Sequence, residues 1–345
     1  MTRSNLGVDD LIAAGSGQGQ GAFCTVPRLR DHVAGLPVLE SHTAQFGPGP
    51  SGIQSQQACG ADMVIVRLKL VPKLAGHIIL DPAWLCLMIP LRLDTEFRFS
   101  GLIARPDDVF LASGSDGYAT VGERRDTVAV GIRKPRLQAT MRAAEGQNGG
   151  TWPFPDQRIA LGQASGKALR RSLLAALDAS TATSDVAGRG SLAPVVEANL
   201  IDFVARALLP YVPARDPADL VAMEPLRVVR AAQREIDAVL PRKVTLKDLC
   251  AVTGASPAWL HRCFCHVYGI SPIAYLRARR LREARSRLLD PAAPAKSIKD
   301  VALSLGFSSS GRFAAEYRAI FDENPSETLA RGIARGAGVV KSHRD

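Results

Sequence analysis

Two stretches of the chain, about fifty residues apart, each force the backbone to run helical, stop at a glycine and restart at a serine. The first reads Thr245-Leu-Lys-Asp-Leu-Cys-Ala-Val-Thr-Gly-Ala-Ser-Pro-Ala-Trp-Leu-His-Arg-Cys-Phe264. Leu246, Leu249 and Cys250, with Val252 beside them, recur at helical spacing and predict one apolar stripe. Gly254 stands where that helix must end, in the left-handed conformation that glycine adopts without a steric cost. Ser256 then offers its hydroxyl to an otherwise unpaired backbone N–H, and Pro257 suits the first helical position because its missing N–H costs nothing there. In the restarted helix Leu260 and Phe264 form an inward i, i+4 pair. Ala258, His261, Arg262 and Cys265 are left on the outer face.

The second stretch, Ser297-Ile-Lys-Asp-Val-Ala-Leu-Ser-Leu-Gly-Phe-Ser-Ser-Ser-Gly-Arg-Phe-Ala-Ala-Glu-Tyr317, repeats the logic. Ser297 caps a helix carrying Ile298, Val301, Ala302 and Leu305. Gly306 ends it, Phe307 packs beneath, and Ser308 or Ser309 caps the next helix. There Phe313 and Tyr317 point inward, while Ser309, Ser310, Arg312 and Ala315 point out. Between the two units, residues 272 to 289 form one continuous helical pattern, with Leu276, Leu281, Ala284 and Leu288 on an apolar stripe beside an arginine-rich one. Eighteen helical residues span about 27 Å. With the widths of the flanking units added, that suits two reading helices about 34 Å apart, one turn of DNA.

Residues 245 to 329 resemble the DNA-binding domain of the AraC/XylS family of bacterial transcription regulators. The resemblance rests on Ser256, Leu260, Arg262, Phe264, Gly269-Ile-Ser-Pro272, Tyr275, Arg280-Leu281, Ala284 and Leu288-Leu289. It continues through Ser297-Ile298, Ala302, Gly306-Phe307, Phe313, Phe321 and Pro325. It implies seven helices that read two successive major-groove segments of double-stranded DNA from one monomer. RNA polymerase, a small-molecule effector and a second copy of the chain are the further partners it suggests, and activation of transcription the readout. The chain departs from the family at Ala315, where an arginine is usual, and at Thr328-Leu329, where tyrosine and arginine are usual. Both departures weaken base readout by the second unit.

On this reading the base-contact residues are Ala258, His261, Arg262, Ser310 and Arg312. An arginine can grip guanine O6 and N7 together, which makes Arg262 the leading one. A phosphate contact or an internal salt bridge is the plainer reading of Arg262, and an exposed histidine such as His261 is often idle. Phosphate contacts are assigned to Lys247, Ser256, Arg279, Lys296, Lys299, Ser309 and Arg318. Cys263 and Cys265 lie about 200° apart on a helix, so they neither pair nor share a metal. Cys263 reads as a small core residue.

Charge supports a polyanionic partner. The last 125 residues carry 21 Lys+Arg against 12 Asp+Glu, whereas the 220 before them carry 22 against 21. Almost the whole net charge of +10 therefore sits beside the tandem pattern, as expected where a phosphate backbone is bound. The plainer reading of any one basic stripe is a solvated helix face. The longest apolar run, Pro82 to Leu91, is far too short to cross a bilayer of about 30 Å, so no membrane association is expected. Without a basic-then-apolar leader, and with six cysteines lacking metal-ligand spacing, a cytoplasmic protein with reduced thiols is the expectation.

The expected fold class is α+β. Residues 1–22 end in a glycine-rich run and read as a disordered leader. Residues 23–155 read as a β-rich sensory domain, a cupin-like barrel or a sandwich. There Met63 to Leu70, Arg92 to Phe99 and Asp126 to Ile132 alternate like strands. The resemblance here is at fold level, nearest the branch that includes the ethanolamine-operon regulator. Asp107-Asp108 reads as turn chemistry. Residues 156–224 read as a helical linker and dimerisation segment, with helices over Gln163 to Ala179, Leu192 to Leu209 and, running on past it, Asp219 to Leu240. Residues 225–330 form the DNA-binding domain, and 331–345 a disordered basic tail. No cofactor, metal or catalytic residue is assigned. Two other readings stay open: an architectural DNA-binding protein with little sequence choice, suggested by Gly311, Ala314 and Ala315, and a DNA-repair methyl acceptor with the same type of DNA anchor.

Overall fold

The computed structural model describes residues 24–26, 37–49, 53–112, 117–145, 157–181, 189–211, 217–240, 244–290 and 297–341. The expected leader, residues 1–22, lies outside them, as does Lys296. The chain forms two compact units. One takes in the described residues among 1–41, 52–71 and 77–222, and the other those among 42–51, 72–76 and 223–345.

Two sheets underlie the β-rich part of the chain, and the division between the units falls within two strands of the smaller one. Strands β1 (Cys24–Val26), β3 (Ile53–Cys59), β4 (Met63–Leu70), β6 (Trp84–Leu93), β9 (Asp108–Ala112), β11 (Arg125–Arg133) and β12 (Gln157–Ala160) form the larger, in the order β1-β3-β4-β11-β6-β9-β12. Strand β13 (Arg189–Ser191) adds parallel to β3. The smaller sheet runs β2 (Val38–Gln45), β5 (Leu74–Leu80), β10 (Tyr118–Gly122), β7 (Arg98–Phe99) and β8 (Leu102–Ile103). Successive side chains of a strand point to opposite faces. Val128, Val130 and Ile132 of β11 therefore join Leu85, Leu87 and Ile89 of β6 in one core, while Arg125, Thr127 and Ala129 face the other way. That second face meets the smaller sheet through stacked rings. Phe99 lies 4.7 Å from Phe110 and 5.0 Å from Tyr118, centroid to centroid.

Three differences from the expected layout have local causes. Arg92 to Phe99 is not one strand, because β6 ends at Leu93 and β7 begins only at Arg98. A helix α1 (Lys134–Glu145) follows β11 directly; its Leu137 and Met141 join the sheet core, an i, i+4 pair hidden in sequence by the basic residues around it. The segment expected as a linker is packed against the sheet. Helices α2 (Gln163–Thr181) and α3 (Pro194–Leu208) bury Leu169, Leu173, Leu177, Leu200, Ile201 and Val204 in that core. Glu197 of α3 also fastens the β3–β4 turn, its Oε1 accepting from Asp62 N at 2.6 Å and Met63 N at 2.8 Å. The turn assigned to Asp107-Asp108 matches the geometry at Asp108, whose Oδ2 accepts from Arg105 N at 2.8 Å.

The helical part of the second unit comprises α4 (Pro217–Val239, divided between the units at Ala222/Met223), α5 (Leu246–Thr253), α6 (Pro257–Tyr268), α7 (Pro272–Leu288), α8 (Ile298–Ser304), α9 (Ser310–Phe321) and α10 (Pro325–Lys341). These are the seven helices the resemblance implies. The expected boundary at 224/225 falls inside α4. The expected disordered tail is helical as far as Lys341. At Gly332 the helix α10 lies against the end of α7, an approach that the missing side chain permits.

Candidate nucleic-acid interface

Both reading helices are positioned by the caps that the sequence predicts. Thr245 accepts from Asp248 N while the Asp248 side chain accepts from Thr245 N, a reciprocal capping box on α5. These Thr245 hydrogen bonds hold the Asp248 carboxyl below the ordinary carboxylate range. Gly254 ends α5 at φ 66°, and Ser256 accepts from Trp259 N to start α6 with Pro257 behind it. In the second unit of the tandem, Ser297 accepts from Asp300 N and Ser309 from Arg312 N. Of the two serines offered for that last cap, Ser309 supplies it. Ser271 provides a third cap of the same type, on α7, accepting from Ala274 N.

Behind α6 lies an aromatic core. Leu260, Cys263, Phe264, Tyr268 and Tyr275 are buried, and Gln233 Nε2 donates to the hydroxyls of Tyr268 and Tyr275, each at 2.7 Å. Burial pushes the Cys263 thiol up to about 11, which fits a core residue. Val252, read as part of the α5 stripe, is instead 52% exposed. A second core holds Leu281, Ala284 and Leu288 of α7 against Val301, Leu305, Phe313, Tyr317 and Phe321. Helix α7 thus serves both cores, its first turns one and its last turns the other. Thr328, where the family usually has tyrosine, is fully buried. Its hydroxyl accepts from Tyr317 at 2.9 Å and donates to Glu323 at 2.8 Å. Glu323 in turn pairs with Arg285 and Arg331.

The outward faces carry most of the expected contacts. Ala258, His261 and Arg262 are exposed on α6, and Ser310 and Arg312 on α9. Ser256 and Ser309 are exposed at the caps, and Lys247, Lys299 and Arg318 are exposed on α5, α8 and α9. Arg262 lies over the Trp259 ring, 5.2 Å from its centroid, so the indole orients the guanidinium. The Cys265 sulfur lies 3.6 Å from His261 Nδ1.

Arg279 is a correction. Its side chain is only 15% exposed, donates to the Thr43 carbonyl at 2.8 Å and pairs with Asp237. Burial, followed by the neighbouring Arg282, lowers its pKa to about 10. A guanidinium committed in this way has no donor turned toward a phosphate. Spacing alone puts Arg279 on the arginine-rich stripe of α7 and does not show which arginine of that stripe meets a partly buried acid.

Sequence reasoning also missed two groups. Arg277 pairs with Glu316 at 3.2 Å and so links α7 to α9. The same carboxylate accepts from Arg312 Nε at 3.0 Å, although the Arg312 side chain remains 71% exposed. The i, i+4 spacing of Arg312 and Glu316 signalled their pairing; nothing local signalled Arg277.

A family model described as a helix-turn-helix domain matches residues 249–331. The "XylDLEGF operon transcriptional activator 1" of Pseudomonas putida is 41% identical over 96 residues, 28% of this chain and 29% of that protein. The "Probable thc operon regulatory protein" of Rhodococcus erythropolis is 30% identical over 102 residues, 30% of this chain and 31% of that one. The chain thus spans under a third of these relatives' length. A solved structure of a probable AraC family transcriptional regulator from Rhodopseudomonas palustris is 40% identical, covering 30% of this chain and 96% of its own, with a TM-score of 0.29. Sequence, caps and tandem geometry agree: the C-terminal part of this chain belongs to the AraC/XylS family of helix-turn-helix domains.

Proposed function

We propose that the protein is a transcription regulator that binds specific sites on double-stranded DNA with both helix-turn-helix units. The observation that carries this reading is the pair of serine-capped helices, α6 and α9, each presenting exposed polar and basic side chains beside α7. Ala258, His261 and Arg262 meet base edges in one major-groove segment, and Ser310 and Arg312 in the next. Lys247, Ser256, Lys299, Ser309 and Arg318 meet phosphates, with Lys296 assigned on sequence alone. Arg262 is the strongest base contact, because Trp259 fixes its direction and the guanidinium can take both guanine acceptors. The second unit reads less: Gly311 and Ala315 offer no donor, and Glu316 competes for Arg312.

The β-rich unit supplies regulation, by an effector or by a second copy of the chain, and RNA polymerase is the partner through which activation would act. The protein works as a regulator rather than an enzyme, in the bacterial cytoplasm. No helix among the described residues is long and apolar enough to cross a membrane.

The test is binding of the full chain to a library of genomic fragments at two salt concentrations, with footprinting of every hit. Protection of two adjacent major-groove segments, with affinity falling steeply with salt, is the expected result. Equal affinity for random DNA and no footprint would instead favour an architectural protein, the reading that the small residues of α9 support.

A further inference from the structure

His261 and Cys265 stand one turn apart on α6, His261 exposed and Cys265 half-buried. The Cys265 sulfur lies 3.6 Å from His261 Nδ1 and 3.9 Å from Nε2. Residues at i and i+4 share a helix face, and this helix is fixed at both ends. Ser256 caps its start and Gly269 closes it in the left-handed conformation. Leu260, Cys263, Phe264 and Val267 are buried on its other side, so α6 does not turn to hide the pair. Cys263 thus faces the core, and the neighbour of Cys265 is an imidazole instead of a second thiol.

An imidazole nitrogen and a thiolate are the ligands that a borderline-soft cation such as zinc selects, whereas magnesium and calcium take oxygen. Zinc bonds run about 2.3 Å to sulfur and about 2.0–2.1 Å to nitrogen, which at a tetrahedral angle puts the two ligand atoms about 3.5–3.6 Å apart. The observed separation of 3.6 Å matches that edge. The backbone needs no adjustment, and the imidazole only turns about its Cβ–Cγ bond to aim its lone pair. Among the described residues no group of three or more His, Cys, Asp or Glu side chains could hold a metal. The remaining coordination positions therefore fall to water, which makes the site open and exchangeable, unlike the closed four-ligand sites that stabilise folds.

We propose that His261 and Cys265 form a two-ligand site for a zinc-class divalent cation on the reading face of α6, and that the bound cation competes with DNA. On binding, the thiol gives up its proton to solvent, and sulfur and nitrogen each donate an electron pair to the ion. The imidazole is then withdrawn from the base edge, and the hydrated ion fills space that α6 needs in the groove. The competition rests on the reading of α6 as a base-reading helix; the cation site does not.

The test is titration of the full chain with cobalt(II), which substitutes for zinc and gives a sulfur-to-metal absorption band, in a phosphine reductant that supplies no thiol. The unsubstituted chain develops the band, and added zinc removes it. Cys265→Ser and His261→Ala, both changes on the outer face of α6, each weaken cobalt binding by roughly a hundredfold or more, because one of two chelating arms is gone. In the genomic-fragment assay, zinc weakens the footprinted complexes by about fivefold or more, and Cys265→Ser removes that effect. The inference is overturned by the absence of the band, by a band of full strength in Cys265→Ser, by unchanged affinity in His261→Ala, or by zinc leaving the footprinted complexes as tight as before. A footprint without a cobalt band overturns this inference alone. A cobalt band that needs both residues, on a chain that protects no DNA, overturns the regulator and supports the cation site.

Discussion

Gly332→Ala sets two effects of opposite sign against each other, and the structure decides between them. Gly332 lies within α10, where alanine is the better helix former by about 1 kcal/mol. On propensity alone the substitution stabilises. A Cβ at this position, however, would overlap the Leu288 carbonyl oxygen and lie 3.1 Å from Leu289 Cα. Both are backbone atoms, so no rotamer change relieves the contact and α10 must move off α7. Overpacking of this kind costs about 1–3 kcal/mol. The shift also strains the buried Tyr317–Thr328–Glu323 hydrogen bonds one turn earlier in α10. The net expectation is destabilisation by about 1–2 kcal/mol. Gly311→Ala is the control. Nothing lies within 4 Å of its added Cβ, and its gain reaches at most about 1 kcal/mol, less so near a helix start. The two variants should therefore differ by about 1–3 kcal/mol, roughly 5- to 150-fold in the opening constant. Native-state hydrogen exchange of peptides covering α7 and α9 reads that constant directly. Exchange in Gly332→Ala as slow as in the unsubstituted protein, or slower, would refute the close approach of α10 to α7.

Arg262→Ala should weaken specific DNA binding by about 1–3 kcal/mol and relax one base position, whereas Lys299→Ala should weaken binding to all sequences alike and reduce the salt slope by about one; titrations at several salt concentrations distinguish the two patterns. Thr245→Ala removes the hydroxyl half of the capping box and should cost about 0.5–2 kcal/mol in urea unfolding, with the Asp248 carboxyl moving up toward its ordinary range by NMR titration. Burial raises the Cys263 thiol to about 11 and the Tyr317 hydroxyl to about 12. Both groups are neutral when folded, so their contribution is intact below about pH 8.5 and is lost as pH climbs toward the folded values. Tyr268 and Tyr275, also raised first by burial, act in the same direction. Stability of the second unit should fall between pH 9 and 11, and an unchanged urea midpoint over that range would contradict the buried hydroxyls.

What the sequence by itself determined was whatever depends on near neighbours in the chain. A cap is an interaction between a side chain and a backbone N–H three residues on, and a left-handed stop needs only a glycine at one position. Thr245, Gly254, Ser256, Ser297 and Ser309 therefore announced four helices and their ends before any contact was known. The i, i+4 pairs Leu260/Phe264 and Phe313/Tyr317 likewise named the buried faces. Strand alternation served nearly as well for β4 and β11, where one strand face is apolar along its length. The tertiary structure alone decided the rest. Arg279 and Arg318 look alike as basic residues of amphipathic helices, yet only Arg279 of the two meets a partly buried carboxylate, supplied by Asp237 from 42 positions away. The apolar faces of α2 and α3 could have served a dimer contact; the sheet they cover, assembled from strands scattered along the chain, gives them an internal partner. Arg125 would pass for an ordinary strand-end charge until its burial over the Phe97 ring and near Tyr118 is seen. Each of these outcomes turns on which distant groups share a small volume, and burial in that volume changes the free energy of a charge far more than any local propensity does.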